Sequence, residues 1–148
     1  MRDQLASASR ICLDTNALIY HLHRTEPYFD VIEWLFGAVR DGFKQSIFSV
    51  VTELELLVRP IREDDVWEMR QVRVVLDGPG VQVVGLDRQI ARLAAEIRAR
   101  LSLSLADAAI VATALHTGCD AIVGNDERCA RRVKEIPYVL LDDLVKET

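Results

Sequence analysis

The sequence predicts an α/β protein, a three-layer α/β/α fold whose central parallel sheet carries helices on both faces. Three observations lead there. Short apolar runs of strand length alternate along the chain with longer segments of helical spacing. A repeated β-then-α order argues for parallel strands joined by helical crossovers. The segment ADAAIVATALHTG (106–118) is apolar nearly all round, which marks a helix buried on most of its faces.

Residues 1–9 are expected to be loose, so that a single domain spans 10–148. RICLD (10–14) is a strand-length apolar run, and the NALIYHLH that follows is helix-compatible. PYFDVIEWLFGAVRDG (27–42) has helical spacing, with Pro27 near its start and Gly42 at its end. QSIFSV (45–50) reads as the second strand. TELELLVRP (52–60) reads as a short helix stopped by Pro60, and EDDVWEMRQVRVVLDG (63–78) as another that stops at Gly78. GVQVVGL (80–86) is strand-like and DRQIARLAAEIRARL (87–101) is an amphipathic helix. DAIVG (120–124) and YVLLD (138–142) are the last strands, on either side of the helix-like NDERCARRVKE. No internal repeat, low-complexity tract or linker interrupts this order.

With 148 residues and 50% hydrophobic positions, the chain can bury a sizeable core, and Gly 7 and Pro 4 exclude a disordered or fibrous class. The apolar runs are short and broken by charge, and MRDQLASASR lacks the apolar core of a signal peptide. A soluble, cytoplasmic protein without membrane association is therefore expected. Cys12, Cys119 and Cys129 are odd in number and show no CxxC spacing, which argues against a disulfide framework or structural zinc. A formal net charge of −5 excludes a protein that holds nucleic acid by a basic surplus alone. A polyanionic substrate would need local help from bound cations or from the clusters Arg59/Arg62, Arg98/Arg100 and Arg128/Arg131/Arg132. Exposed arginines on helices are, however, more often a solvated face.

ICLDTN (11–16) ends an apolar run on a carboxylate, Asp14. An isolated charge there costs several kcal/mol unless it is paired, exposed or bound to metal. In parallel α/β sheets the ligand crevice lies beyond the carboxyl ends of the strands, where the next helices begin. Asp14 and Asp126, after AIVGN, fall beside that crevice directly. Glu55 and Asp107 also stand at helix beginnings and join them if their helices pack there. Converging carboxylates of this kind would bind a hard divalent cation, Mg2+ or Mn2+.

Each acid taken alone also has a plainer explanation. Asp and Glu are favoured in first turns by the helix dipole and by capping. Both Thr52-x-x-Glu55 and Ser104-x-x-Asp107 resemble capping boxes. Asp87 follows an apolar strand and opens a helix in the same manner, so local context would nominate it too.

The motifs LDTNALIY, SVVTELELLVRP, LADAAIVATAL and AIVGND, in this order, resemble those of a PIN domain, and the chain is similar to VapC-type toxin ribonucleases from about Arg10 to Leu144. The resemblance implies an acidic site of Asp14, Glu55, Asp107 and Asp126, with Asp14, Asp107 and Asp126 as metal ligands. Glu55 is chosen over Glu53 because the family places its acid before Leu-Leu, three residues after the Thr. Asn16 stands where a small polar residue or Asn orients water. The chain departs from the pattern at Gly124, where the family commonly has Thr, and at Cys129, often a further Asp; both departures weaken the expected site.

The implied activity is Mg2+- or Mn2+-dependent endoribonuclease chemistry, the hydrolysis of RNA phosphodiesters, with Arg128, Arg131 and Arg132 contacting the RNA backbone. The implied partners are RNA, a second copy in a homodimer, and an antitoxin whose basic tail enters the acidic groove. His21, His23 and His116 show no metal pattern. Two alternatives stand beside this. Gly124 and Cys129 favour a catalytically silent RNA- or protein-binding module on the same fold. LDTN at a strand end suits an Asp-based phosphotransfer domain, but that reading wants a second Asp where Asn16 stands and a lysine that Lys44, Lys134 and Lys146 supply poorly.

Overall fold

The computed structural model describes residues 2–148. Five strands form one sheet: β1 (Arg10–Leu13), β2 (Gln45–Ser49), β3 (Val81–Val84), β4 (Ala121–Gly124) and β5 (Tyr138–Leu140). Their spatial order is β3-β2-β1-β4-β5, and every pairing is parallel. The helices are α1 (Arg2–Ser7), α2 (Thr15–Leu22), α3 (Tyr28–Arg40), α4 (Val50–Arg62), α5 (Val66–Leu76), α6 (Arg88–Leu101), α7 (Leu105–His116), α8 (Glu127–Arg132) and α9 (Leu141–Lys146).

The two-residue period of the strands distributes the helices over both faces. Ile11 and Leu13 of β1, Ala121 and Val123 of β4 and Val139 of β5 point to one side. There they meet Leu5, Leu18, Ile32, Leu35, Leu56, Val72 and Leu144 from α1 to α5 and α9. Cys12, Ile122 and Tyr138 point to the other side, against Ile90 and Ile97 of α6, Ile110 and Val111 of α7, and Cys129 and Val133 of α8. Both central strands are covered on both faces, which is why they read as unbroken apolar runs.

The chain builds outward from β1 through β2 to β3, then returns to the other side of β1 with β4 and β5. The sheet therefore has its switch point between β1 and β4, where helices leave in opposite directions and a crevice must open. Asp14 N donates to Val123 O across this junction at 2.9 Å, so the ends of the two strands are held level.

Three local expectations are revised. The N-terminal segment forms α1, with Leu5 fully buried. The buried Lys44 aims its Nζ at the carbonyls of Leu5, Ala6 and Ala8, satisfying the end of α1 where a cation is favoured. Pro60 does not stop α4, which runs to Arg62. Its missing N–H removes one hydrogen bond in the final turn, its ring is buried, and the chain turns at Asp64 with φ +52°. Finally, YVLLD is split. Extended structure ends at Leu140, and α9 begins at once so that Leu141 and Leu144 reach the core. Among the described residues no helix is long and apolar enough to cross a membrane.

Candidate active site

Asp14 sits at the N-cap of α2 and is buried. Its Oδ1 accepts from Thr15 N at 2.7 Å and its Oδ2 from the Tyr138 hydroxyl at 2.7 Å. Burial pushes its pKa up to about 6 against those two hydrogen bonds, and the charges of Asp107 and Asp126 push it the same way. Each carboxylate oxygen has a second lone pair left over.

Asp107 and Asp126 arrive from opposite sides of the switch point. Asp107 lies in the first turn of α7, whose N-cap Ser104 accepts from Asp107 N at 3.1 Å. This is half of the expected capping box. Among the described residues no hydrogen bond reaches the Asp107 carboxylate. Asp126 caps α8, its Oδ1 accepting from Cys129 N at 3.0 Å. One ligand atom each from Asp107, Asp126 and Cys129 lies within 4.8 Å of the other two. The Cys129 thiol is buried, and burial followed by the charges of Asp107, Asp126 and Asp14 pushes its pKa above the ordinary thiol value. It therefore faces the acids as a neutral group.

Glu55 is exposed on α4 and joins the group through a relay. Thr15 Oγ1 donates to Glu55 Oε1 at 2.7 Å and lies 3.0 Å from Thr52 Oγ1. Since Thr15 has one hydroxyl proton and gives it to the carboxylate, Thr52 must be the donor in the second bond. Thr52 is thus no cap. Ser49 caps α4, accepting from Val51 N at 3.1 Å, and the helix begins early enough to turn Thr52 inward. Asn16 uses its side-chain oxygen to accept from Asn125 N at 3.2 Å, which ties α2 to the loop after β4.

The arginines of α8 are less available than their spacing implies. Arg128 donates to Ser102 O at 2.8 Å, and Arg132 to Leu101 O and Ser102 O at 3.2 and 3.0 Å. They satisfy the carbonyl end of α6, where Ser102 adopts the left-handed conformation. Arg131 is exposed on the same helix. Asp87, by contrast, does only what a cap does: its Oδ1 accepts from Ile90 N at 2.8 Å, at the head of α6 beyond the edge strand β3.

Two contributors escape the sequence. Thr15 is hidden between two more conspicuous polar residues. Tyr138 lies 124 positions from Asp14, and burial followed by the Asp14 charge raises its phenol pKa, so that it remains a donor. The signal for its approach is Gly124, a residue without a side chain at a strand end beside a buried acid.

Fold and site together define a parallel α/β/α domain with acids gathered at the switch point of its sheet. Within that class the chain belongs to the PIN domain family, whose model matches residues 11–136. The fold is similar to that of VapBC2 from Rickettsia felis bound to a DNA fragment from its promoter, at 15% identity and a TM-score of 0.69 over 87% of this chain and 96% of that one. It is similar to a toxin-antitoxin complex from Klebsiella pneumoniae, at 21% identity and a TM-score of 0.66 over 88% and 97%. It is likewise similar to VapC20 of Mycobacterium tuberculosis, a Sarcin-Ricin loop cleaving toxin, at 15% identity and a TM-score of 0.66 over 86% and 98%. No curated protein matches the chain.

The raised pKa of Asp14 has a measurable consequence in metal-free protein. The folded state holds a proton that the unfolded chain releases, so the stabilisation is fully present below pH 3.8 and lost as pH rises through about 6. The loss amounts to roughly 3 kcal/mol. Asp14→Asn should lack it. Urea unfolding in EDTA should show the wild-type stability falling relative to the variant by roughly 2.4 kcal/mol between pH 4 and pH 7. A difference independent of pH would mean that Asp14 ionises normally.

Asp87 supplies the control for Asp126, since Asn caps helices about as well as Asp. Asp126→Asn should raise the melting temperature at pH 7 in EDTA by relieving repulsion, and should reduce the further rise given by Mn2+. Asp87→Asn should change neither. Matching melting curves for the two variants in both conditions would reduce Asp126 to a cap.

Proposed function

We propose that this chain is a metal-dependent endoribonuclease and the toxin of a toxin–antitoxin pair. The observation that carries the reading is the meeting of Asp107 and Asp126 beside the buried Asp14, at the switch point of a PIN-family sheet. Carboxylate oxygens from three elements suit a hard divalent cation, Mg2+ or Mn2+; ligand atoms of Asp107 and Asp126 lie within 4.8 Å of each other, and the charges of both act on the buried Asp14. Asp14, Asp107 and Asp126 would hold it. When bound, such a cation neutralises charge on the phosphate and eases deprotonation of the attacking water.

The chain's own groups would do the rest. The water oxygen forms the new bond to phosphorus as the bond to the leaving RNA oxygen breaks. Glu55, its carboxylate fixed by Thr15, orients that water, and the amide of Asn16 lines the same edge. Arg131 meets the RNA backbone, with Arg128 and Arg132 beside it holding α8 to α6, which gives position without base specificity. An acidic groove attracts a basic antitoxin tail by charge complementarity. The exposed apolar face of α4 (Leu54, Val58 and Ile61), with Trp67 of α5, is proposed as surface for a partner or a second copy in a homodimer. Free thiols at Cys12, Cys119 and Cys129 suit a reducing cytoplasm. Of the lysines the phosphotransfer alternative could use, Lys44 is committed to the carbonyls of α1.

Purified protein with structured RNA should cut it in Mg2+ or Mn2+ and stop in EDTA, and Asp14→Asn should lower the rate at least about a hundredfold. Cleavage indifferent to EDTA would overturn the reading. Inactivity on many RNAs would favour a silent binding module.

Cys129 tests the metal directly. Cys129→Asp places an oxygen anion where a neutral thiol stands, so titration calorimetry should show tighter Mn2+ binding, and melting in EDTA should show a less stable protein. Equal or weaker affinity would mean that residue 129 contributes nothing to the ion.

A further inference from the structure

Gly124 ends β4 directly beside Asp14, and it is glycine for reasons of space. It is not among the glycines of positive φ, which are Gly42, Gly80 and Gly118, so its backbone would accept any residue. A Cβ there would lie 2.3 Å from the Tyr138 hydroxyl oxygen, 2.7 Å from Asp14 Cβ and 3.1 Å from Asp14 Oδ2. The volume beside the acid is occupied by a hydroxyl from the neighbouring strand. Tyr138 opens β5 opposite Ile122, and its ring packs among the residues that bury Cys129, so the core holds the hydroxyl in place.

That hydroxyl has one proton and donates it to Asp14 Oδ2 at 2.7 Å. Towards the N–H of Asp126, at 3.4 Å, it can only accept. It thus touches both sides of the switch point. Without it the Asp14 side chain would keep a single tether, from Thr15 N to Oδ1.

We infer that Tyr138 is a positioning residue of the acidic site: its hydroxyl takes the place of a side chain at position 124 and holds the Asp14 carboxylate in register with the loop bearing Asp126. The inference rests on the metal-site reading above. Hydrogen-bond partners of metal ligands typically change affinity by about 10- to 100-fold when removed.

Tyr138→Phe keeps the ring and removes the bond. Metal-stripped wild type and variant are titrated with Mn2+ by calorimetry, and melted in EDTA. The variant should bind Mn2+ at least about tenfold more weakly. A residue that merely packs would lower the melting temperature and leave the affinity of the folded protein unchanged. Gly124→Ala should expel the hydroxyl and weaken Mn2+ binding in the wild type, yet add little to the loss already present in Tyr138→Phe. Affinity of Tyr138→Phe within about twofold of wild type overturns the inference, as do losses from the two substitutions that simply multiply. Wild type that binds no Mn2+ overturns the metal-site reading and this inference with it.

Discussion

The site is organised around the cost of keeping a carboxylate at the end of a strand that is covered on both faces. Asp14 stands there because β1 is central, between β2 and β4, and its N–H is taken by Val123 across the switch point. Taking that charge out of water costs several kcal/mol. The Thr15 N–H at the head of α2 and the Tyr138 hydroxyl recover part of the cost, and the remainder appears as the upward pKa shift. Thr15 turns its own hydroxyl to Glu55, and Gly124 stays bare so that Tyr138 can approach. Asp107 and Asp126 add repulsion, and among the described residues neither forms an ion pair with a Lys, Arg or His side chain. A geometry that is unfavourable for anions alone is what an oxygen-ligated divalent cation would relieve.

The architecture was legible because it rests on local patterns. The alternation of short apolar runs with helical spacing gives the parallel sheet, and the two-residue period sends residues such as Cys12 and Leu13 to opposite layers. The placing of acids at helix starts was legible as well, but their use was not. Asp87 and Asp126 look alike in sequence, and both cap helices. They differ in where the sheet puts them. Asp87 follows an edge strand two positions from β1, whereas Asp126 follows the strand that borders it.

What stayed hidden depends on contacts between distant segments. The sequence offers Thr52 as a cap, and only the packing of α4 against α2 decides that Ser49 caps while Thr52 serves the relay to Glu55. The order in α1 depends on a lysine far along the chain, Lys44. Pro60 looks like a stop because a ring in a helix removes a hydrogen bond, but in a final turn the loss is small. Tyr138 sits in YVLLD, where an aromatic residue reads as core. It is core along its ring and part of the site at its tip.

Gly124 and Cys129 look like two equal losses in the sequence, and the structure separates them. At position 124 a polar group is still present beside Asp14, supplied by Tyr138 from the next strand. At position 129 no carboxylate is present: the thiol faces Asp107 and Asp126, and its burial first, then the charge of those acids, keeps it protonated. Apart from Glu55, which Thr15 holds to one side, the crevice therefore presents three carboxylates, Asp14, Asp107 and Asp126, and a neutral sulfur. For a divalent cation bound as proposed, this would leave a net charge of minus one instead of minus two, and a weaker attraction for the ion. The same missing charge spares the metal-free protein a fourth mutually repelling acid in a crevice where one is already buried. On the proposed reading, thiol and tyrosine would act on different quantities, the first on the charge offered to the ion and the second on where that charge is held.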